Sequence, residues 1–205
     1  MLQQEGFGID RHTIHRRKPS ITGAVLIFST ALLLYAAPNG SVYGQRNDSE
    51  DKADAERYYK TASTIHAPLY GPLADHIVSV CELAGKSGTG VDIGSGPGHL
   101  AVELAKRAPG IQWINLDINP YNFPYTRKLA DEGGVGHRVS TLQADVHELP
   151  LNNGSVDVVV SRGSLQQWQD KTKAFSEIYR ILKPGGVAFV GRGFSENQSP
   201  DVARK

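Results

Sequence analysis

Apolar positions along the chain recur in two periods, and the switching between them outlines the architecture. Leu73, Ile77, Val80, Cys81 and Ala84 fall on one side of a helix, with Pro72 at its start and Gly85 at its stop. Gly90–Ile93 is short and apolar, as a buried strand would be. Leu100, Ala101, Leu104 and Ala105 return to helical spacing, and Lys106 and Arg107 close that helix where cations suit its dipole. Ile111–Ile118 predicts a second strand, Tyr125–Asp131 a short helix, and Arg138–Ala144 a third, alternating strand. Val156–Val160 is too apolar for a surface position and predicts a fourth strand. Phe175, Ile178, Tyr179 and Leu182 make a helix stripe ending at Pro184-Gly-Gly186, and Val187–Val190 is a fifth strand. Strands separated by helices require right-handed crossovers, so the expected fold is α/β: a doubly wound, mainly parallel, Rossmann-like sheet of about five strands.

The amino-terminal quarter breaks this pattern. Residues 1–20 are a polar, basic tail. Residues 21–37 run for seventeen positions without a charge, which predicts an N-terminal apolar helix acting as a membrane anchor or signal segment. At 1.5 Å per residue that helix spans about 26 Å, near the short limit for a bilayer. Tyr35 leaves no good cleavage site, so an uncleaved anchor is the preferred reading. Residues 38–57 read as a tether that turns helical toward Tyr58, since eight of the thirteen positions from 45 to 57 are charged. The domain itself is expected over 58–195, with 196–205 as a tail.

Composition narrows the function. The net charge is +1 with Lys and Arg spread evenly, so there is no electrostatic footprint for DNA or RNA. One cysteine, Cys81, cannot form an internal disulfide and reads as a small buried residue. The seven histidines are scattered and support no metal site. Oligomeric state is not legible.

The chemistry concentrates in Val91-Asp-Ile-Gly-Ser-Gly-Pro-Gly-His99, at the turn from first strand to first helix. Alternating glycines let a ligand approach bare backbone at a helix N-terminus. A dinucleotide fingerprint needs glycine at position 99; His99 there disfavours an NAD-linked oxidoreductase. The loop instead resembles the Asp/Glu-x-Gly-x-Gly-x-Gly motif of class I S-adenosylmethionine (SAM) methyltransferases. Later segments match the same pattern in order: Asp117 at the second strand end, Ala144-Asp-Val146 after the third, Asp157–Ser161 as the fourth, and Leu182-Lys-Pro-Gly-Gly186. Together they are similar to the type-11 methyltransferase family, which includes quinone-biosynthesis enzymes.

That resemblance implies a SAM-dependent methyltransferase acting on a small or lipidic molecule. It implies cofactor binding by Asp92, Gly94, Ser95, Gly96, Gly98, Asp117, Ile118, Asp145, Val146 and Ser161. Within it Asp117 takes the ribose hydroxyls and Asp145 the adenine amino group, while Asp92 suits a sulfonium cation with an amino group. As a strand-end carboxylate, Asp117 is expected to contribute little to stability. Tyr59, Tyr70, Arg162, Gln167 and Trp168 are candidate substrate contacts, with packing under the following helix the favoured reading of Trp168, and Tyr58, Tyr59 and Tyr70 are candidates for closing over the cofactor. No side chain announces itself as a catalytic base, and methyl transfer needs one only when the nucleophile must lose a proton.

Two departures from the family bear on this. It usually continues to a sixth and seventh strand, which the thirteen residues after Arg192 do not supply. A non-catalytic SAM-fold binding or scaffolding protein is therefore the alternative. Basic residues before 21–37 favour a cytoplasmic N-terminus, which would place the domain away from SAM. A catalytic domain on the cytoplasmic side, an exported protein, or a start site upstream of the true one each resolve that conflict.

Overall fold

The computed structural model describes residues 25–28 and 47–191. Its elements are β1 (Val25–Phe28), α1 (Asp48–Thr64), α2 (Ala67–Val80), β2 (Gly88–Ile93), α3 (His99–Arg107), β3 (Ile111–Asp117), α4 (Phe123–Glu132), β4 (Val139–Gln143), β5 (Val156–Arg162), α5 (Lys171–Ile181) and β6 (Leu182–Gly191). They form one sheet in the order β1-β6-β5-β2-β3-β4, with every pairing parallel. The chain winds outward from β2 through β3 to β4, then returns across β2 to lay down β5 and β6. Strand order therefore reverses between β2 and β5, and a crevice opens there at the carboxyl ends of the strands.

Both faces of the sheet are covered. Val158 and Val160 pack with Trp113, Phe189 and the inner sides of α2 and α3, including Leu73, Ile77 and Leu104. Val156 and Val159 join Val91, Leu116, Ile178 and Ile181 on the α5 side. This two-sided burial is why β5 reads as a continuous apolar run. Cys81 is 2% exposed within the first cluster, and burial pushes its thiol up to about 11, so the residue is inert packing.

Three expectations change. The charged stretch before Tyr58 is helical from Asp48, because Asn47 forms a reciprocal capping box with Glu50 and places Asp48, Glu50 and Asp51 in the first turn. Pro72 lies inside α2, not at its start; Pro68 occupies the first turn, where a missing N–H costs nothing. The helix expected over 21–37 falls mostly outside the described residues. Its described part, Val25–Phe28, is instead a strand aligned with Val187–Val190 of β6. Among the described residues no helix is long and apolar enough to cross a membrane.

The loop from Ala144 to Ser155 has almost no regular structure, and α5 holds it. Glu177 accepts from the Leu149 N–H (2.9 Å) and from Arg180 Nε and Nη2 (both 2.8 Å). Arg180 in turn donates to the carbonyls of Leu149 and Leu151 (2.8 Å each) and to Asn153 Oδ1 (2.7 Å). The Arg180 hydrogen bonds hold the Glu177 carboxyl down at about 2. A depressed carboxylate stabilises the fold above its unfolded value of 4.5 and loses that contribution as pH falls through about 2. Glu177→Gln is accordingly expected to melt below the parent at neutral pH, with the gap closing in that acid window. Arg180→Ala is expected to cost about 2–3 kcal/mol in denaturant unfolding at pH 7. A pH-independent gap, or an Arg180→Ala loss under ~0.5 kcal/mol, would count against this network.

Candidate functional site

The floor of the crevice is the turn from β2 to α3. Gly94 has φ 63° and lies against Ser164, where any Cβ would overlap the serine side chain. Gly98, at φ 88°, is the N-cap of α3 and sits on Thr126 and Asn115 with equally little room. Both positions require glycine for backbone conformation and for contact. Ser95 is pinned to β3 through its N–H and hydroxyl, both bonded to the Leu116 carbonyl at 3.1 Å.

Two carboxylates face this turn. Asp117 Oδ2 accepts from the Gly96 N–H (2.7 Å) and Oδ1 from the Asn119 N–H (2.8 Å), which leaves each oxygen further lone-pair capacity. Asp117 is 8% exposed, and burial raises its pKa against the pull of those donors. It therefore ties the glycine turn to the β3–α4 connection, and the expectation that it holds nothing structural is corrected. Asp92 is 1% exposed, and among the described residues neither of its oxygens has a hydrogen-bond partner of ordinary geometry. Burial, reinforced by Asp117, pushes its carboxyl up to about 8; Arg162 opposes this, and the Ala101 N–H in the first turn of α3 opposes it least. A buried charge without a partner is costly, so the group is neutral until a cation meets it.

The remaining walls come from the ends of neighbouring strands. Ile118 follows Asp117 and is 41% exposed, an apolar surface beside the ribose-binding candidate. The Ala144 N–H donates to the Asp117 carbonyl at 3.1 Å, which sets Asp145 next to that strand end. Val146 is 6% exposed and belongs to the α5-side core. Ser161 is buried, and its hydroxyl shares a 2.7 Å bond with Ser164, which also reaches the Ile93 carbonyl. The Ser161 side chain thus braces the glycine turn from below and does not offer itself to a ligand. Of the two readings of Trp168 the packing one agrees with the structure: it is 5% exposed and packs edge-on against Phe175 of α5, in the core and not at the mouth. Gln167 is exposed, and its N–H closes a tight turn onto the Ser164 carbonyl.

Helices α1 and α2 supply an aromatic roof. Tyr59 stacks on Tyr125 (4.4 Å between centroids) and lies 5.9 Å from His99. Tyr70 also stacks on His99, at 5.2 Å between centroids. Arg162, at the end of β5, lies over the Tyr70 ring and donates to its hydroxyl at 3.3 Å. His99 Nε2 bonds Ser63 of α1, and Asn119 donates to the Asp51 carbonyl, also of α1. Burial lowers His99 to about 4, so it is neutral at pH 7 and unsuited to hold charge. Tyr58 is exposed and takes no part in this stack. Ser63 and Tyr125 were not singled out from sequence, and His99 only as the residue that breaks a dinucleotide fingerprint; their juxtaposition after folding makes all three part of the roof. A groove of about 400 Å³ lies between α2, α3 and α4, sharing Tyr70 and His99 with this roof and lined further by Gly71, Pro72, Val102 and Leu129. Among the described residues no His, Cys, Asp or Glu cluster could hold a metal.

A glycine turn at a parallel-sheet switch point, with acids at the carboxyl ends of β2 and β3 and just after β4, is an α/β arrangement of SAM-dependent methyltransferase type. Residues 91–190 match the methyltransferase domain family model. A crystal structure from Methanococcus maripaludis, assigned as an S-adenosyl-L-methionine-dependent methyltransferase, superposes with TM-score 0.69 at 31% identity, over 80% of this chain and 74% of that one. Similarity also extends to the demethylmenaquinone methyltransferase of Thermus thermophilus, 35% identical over 96 residues, or 47% of this chain and 43% of that protein. The chloroplastic 2-methyl-6-phytyl-1,4-hydroquinone methyltransferase 1 of Oryza sativa is 27% identical over 165 residues, 75% of this chain and 49% of that one. Residues 91–190 therefore form a domain of the methyltransferase domain family, and the chain spans less than half the length of these two curated relatives.

The buried Asp92 yields a direct test. Its folded value of about 8 against 3.8 unfolded means that the ligand-free protein loses stability as pH rises between those values. Asp92→Asn removes that slope. Thermal melts are expected to favour the variant by several degrees at pH 8, with the advantage shrinking toward pH 4. A difference that does not vary with pH would contradict the burial of an unpartnered carboxyl.

Proposed function

We propose that this domain binds SAM in the crevice above β2 and β5 and transfers its methyl group to a small or lipidic acceptor, with quinol-type rings the leading class. The observation that carries the reading is Asp92, a fully buried carboxyl without a partner beneath a glycine turn. A cationic ligand offsets the desolvation of that carboxylate, and an anionic one does not. SAM supplies the activated methyl on a sulfonium centre. Gly94, Ser95, Gly96 and Gly98 let it lie on bare backbone, and Asp117 accepts the two ribose hydroxyls with its spare lone pairs. Asp145 accepts from the adenine amino group, and Ile118 and Val146 give the base an apolar seat.

Above that seat Tyr59, His99 and Tyr70 exclude water, and Arg162 stands at the mouth with Tyr70, where an acceptor hydroxyl or ring would enter. The chain's contribution on this account is alignment in a dry pocket. No described residue is assigned as a base. The quinol-type class is supported by the names of the two curated relatives, which act on demethylmenaquinone and on a phytyl hydroquinone. A membrane contact through residues 21–37 would suit such acceptors. It requires Val25–Phe28 to leave β6, because a backbone paired in a sheet cannot also be helical in a bilayer.

Calorimetry with SAM and S-adenosylhomocysteine tests the proposal. Binding to the parent is expected, and no binding at millimolar ligand overturns it. Asp117→Ala is expected to weaken SAM by about 2–4 kcal/mol. It should also destabilise the ligand-free protein by about 1–3 kcal/mol, since the Gly96 and Asn119 N–H groups lose their acceptor. Parental affinity in that variant would remove the ribose assignment.

A further inference from the structure

Asp145 is not a free surface carboxylate. Its Oδ1 accepts twice from one residue, from the His147 N–H at 2.9 Å and from His147 Nδ1 at 2.5 Å. The histidine is held from its other side: His147 Nε2 accepts from the backbone N–H of Asp170 at 3.2 Å. An imidazole nitrogen that accepts carries no proton, so the proton of neutral His147 sits on Nδ1 and points at Asp145. Asp170 is itself fixed as the N-cap of α5, where its side chain accepts from the Lys173 N–H at 2.9 Å. A continuous chain of donors thus runs from the start of α5 through His147 to one oxygen of Asp145. Among the described residues none bonds the other oxygen, Oδ2.

We infer that His147 is a positioning residue, orienting Asp145 so that Oδ2 is presented to the exocyclic amino group of an adenine base. The inference rests on the proposed seating of adenine beside Asp145. An exposed aspartate turns readily about χ1 and χ2, and at 49% side-chain exposure this one is restrained by no other side-chain bond among the described residues. Two bonds to the same oxygen hold the carboxylate plane. They also leave an acceptor, and no donor, facing the ligand. That arrangement favours adenine, which presents an N–H, and rejects hypoxanthine, which presents a carbonyl at the same place. His147 therefore contributes selectivity for the base without touching it.

The test compares binding of S-adenosylhomocysteine and S-inosylhomocysteine by calorimetry to the full chain, its Asp145→Asn variant and its His147→Ala variant. The parent is expected to prefer the adenine ligand by about 10–100-fold. Asp145→Asn is expected to abolish that preference, since its amide can donate to the carbonyl. His147→Ala is expected to shrink the preference by about three- to tenfold while the inosine ligand binds as it does to the parent. Unchanged inosine affinity reports that the variant is folded. If Asp145→Asn loses the preference but His147→Ala keeps it, the positioning role is overturned and the adenine seat stands. If His147→Ala weakens both ligands equally, the histidine is merely structural, and the inference again falls. If Asp145→Asn keeps the parental preference, the adenine seat itself is wrong and the inference falls with it.

Discussion

Between β2 and α3 the backbone passes so close to its neighbours that side chains are excluded, and most of the site is arranged around that approach. Gly94 lies on Ser164, and Gly98 lies on Thr126 and Asn115. Only because the turn is this tight can the Gly96 N–H reach Asp117 across 21 residues of sequence. Ser161 and Ser164 brace it from β5, and Asn115 reaches both the Gly96 carbonyl and Thr126. The same closeness shuts water away from Asp92, which turns an ordinary acid into one poised to receive a cation. Tightness in the backbone and the electrostatic character of the crevice have a single origin.

The helices around the sheet divide the remaining work. On one face α2 and α3 build the larger core, and together with α1 they carry the aromatic roof. On the other, α5 packs the smaller core and also holds the irregular loop that follows β4, through Arg180 and Glu177 along its side and Asp170 at its start. A loop with so few backbone bonds of its own would drift without such anchors. Placing a ligand-facing acid on it is feasible because a rigid element fixes both of its ends.

Much of this architecture was legible from periodicity alone. The runs over 111–118, 156–160 and 187–190 announced strands because burial on both faces keeps them mostly apolar, Gln112, Asn115, Asp117 and Asp157 being the exceptions, and the parallel winding followed from the helices between them. Asp92, Asp117 and Asp145 could be picked out by their spacing from strand ends. What was hidden depends on contacts distant in sequence. Trp168 looked like a ligand contact because aromatic residues near a site read the same whether they line it or lie beneath it. Ser161 likewise gave no sign that its hydroxyl would be taken up by Ser164. The charged stretch after Gln45 looked like a tether by composition, and only the Asn47–Glu50 spacing carried the signal of a helix start. His147 could have been noticed as a histidine two residues beyond an acid, but its orientation depends on Asp170, 23 residues away.

The central claim is the location of the cofactor: in the crevice where β2 and β5 part, and not in the groove between α2, α3 and α4. Amide hydrogen exchange with and without saturating S-adenosylhomocysteine distinguishes the two without knowledge of the acceptor. Slowed exchange is expected in the backbone at 94–101, 117–122 and 144–148, the three segments that the strand ends bring together. Slowing confined to 67–72 and 129–133, with the glycine turn and the Asp117 segment unchanged, would contradict the account.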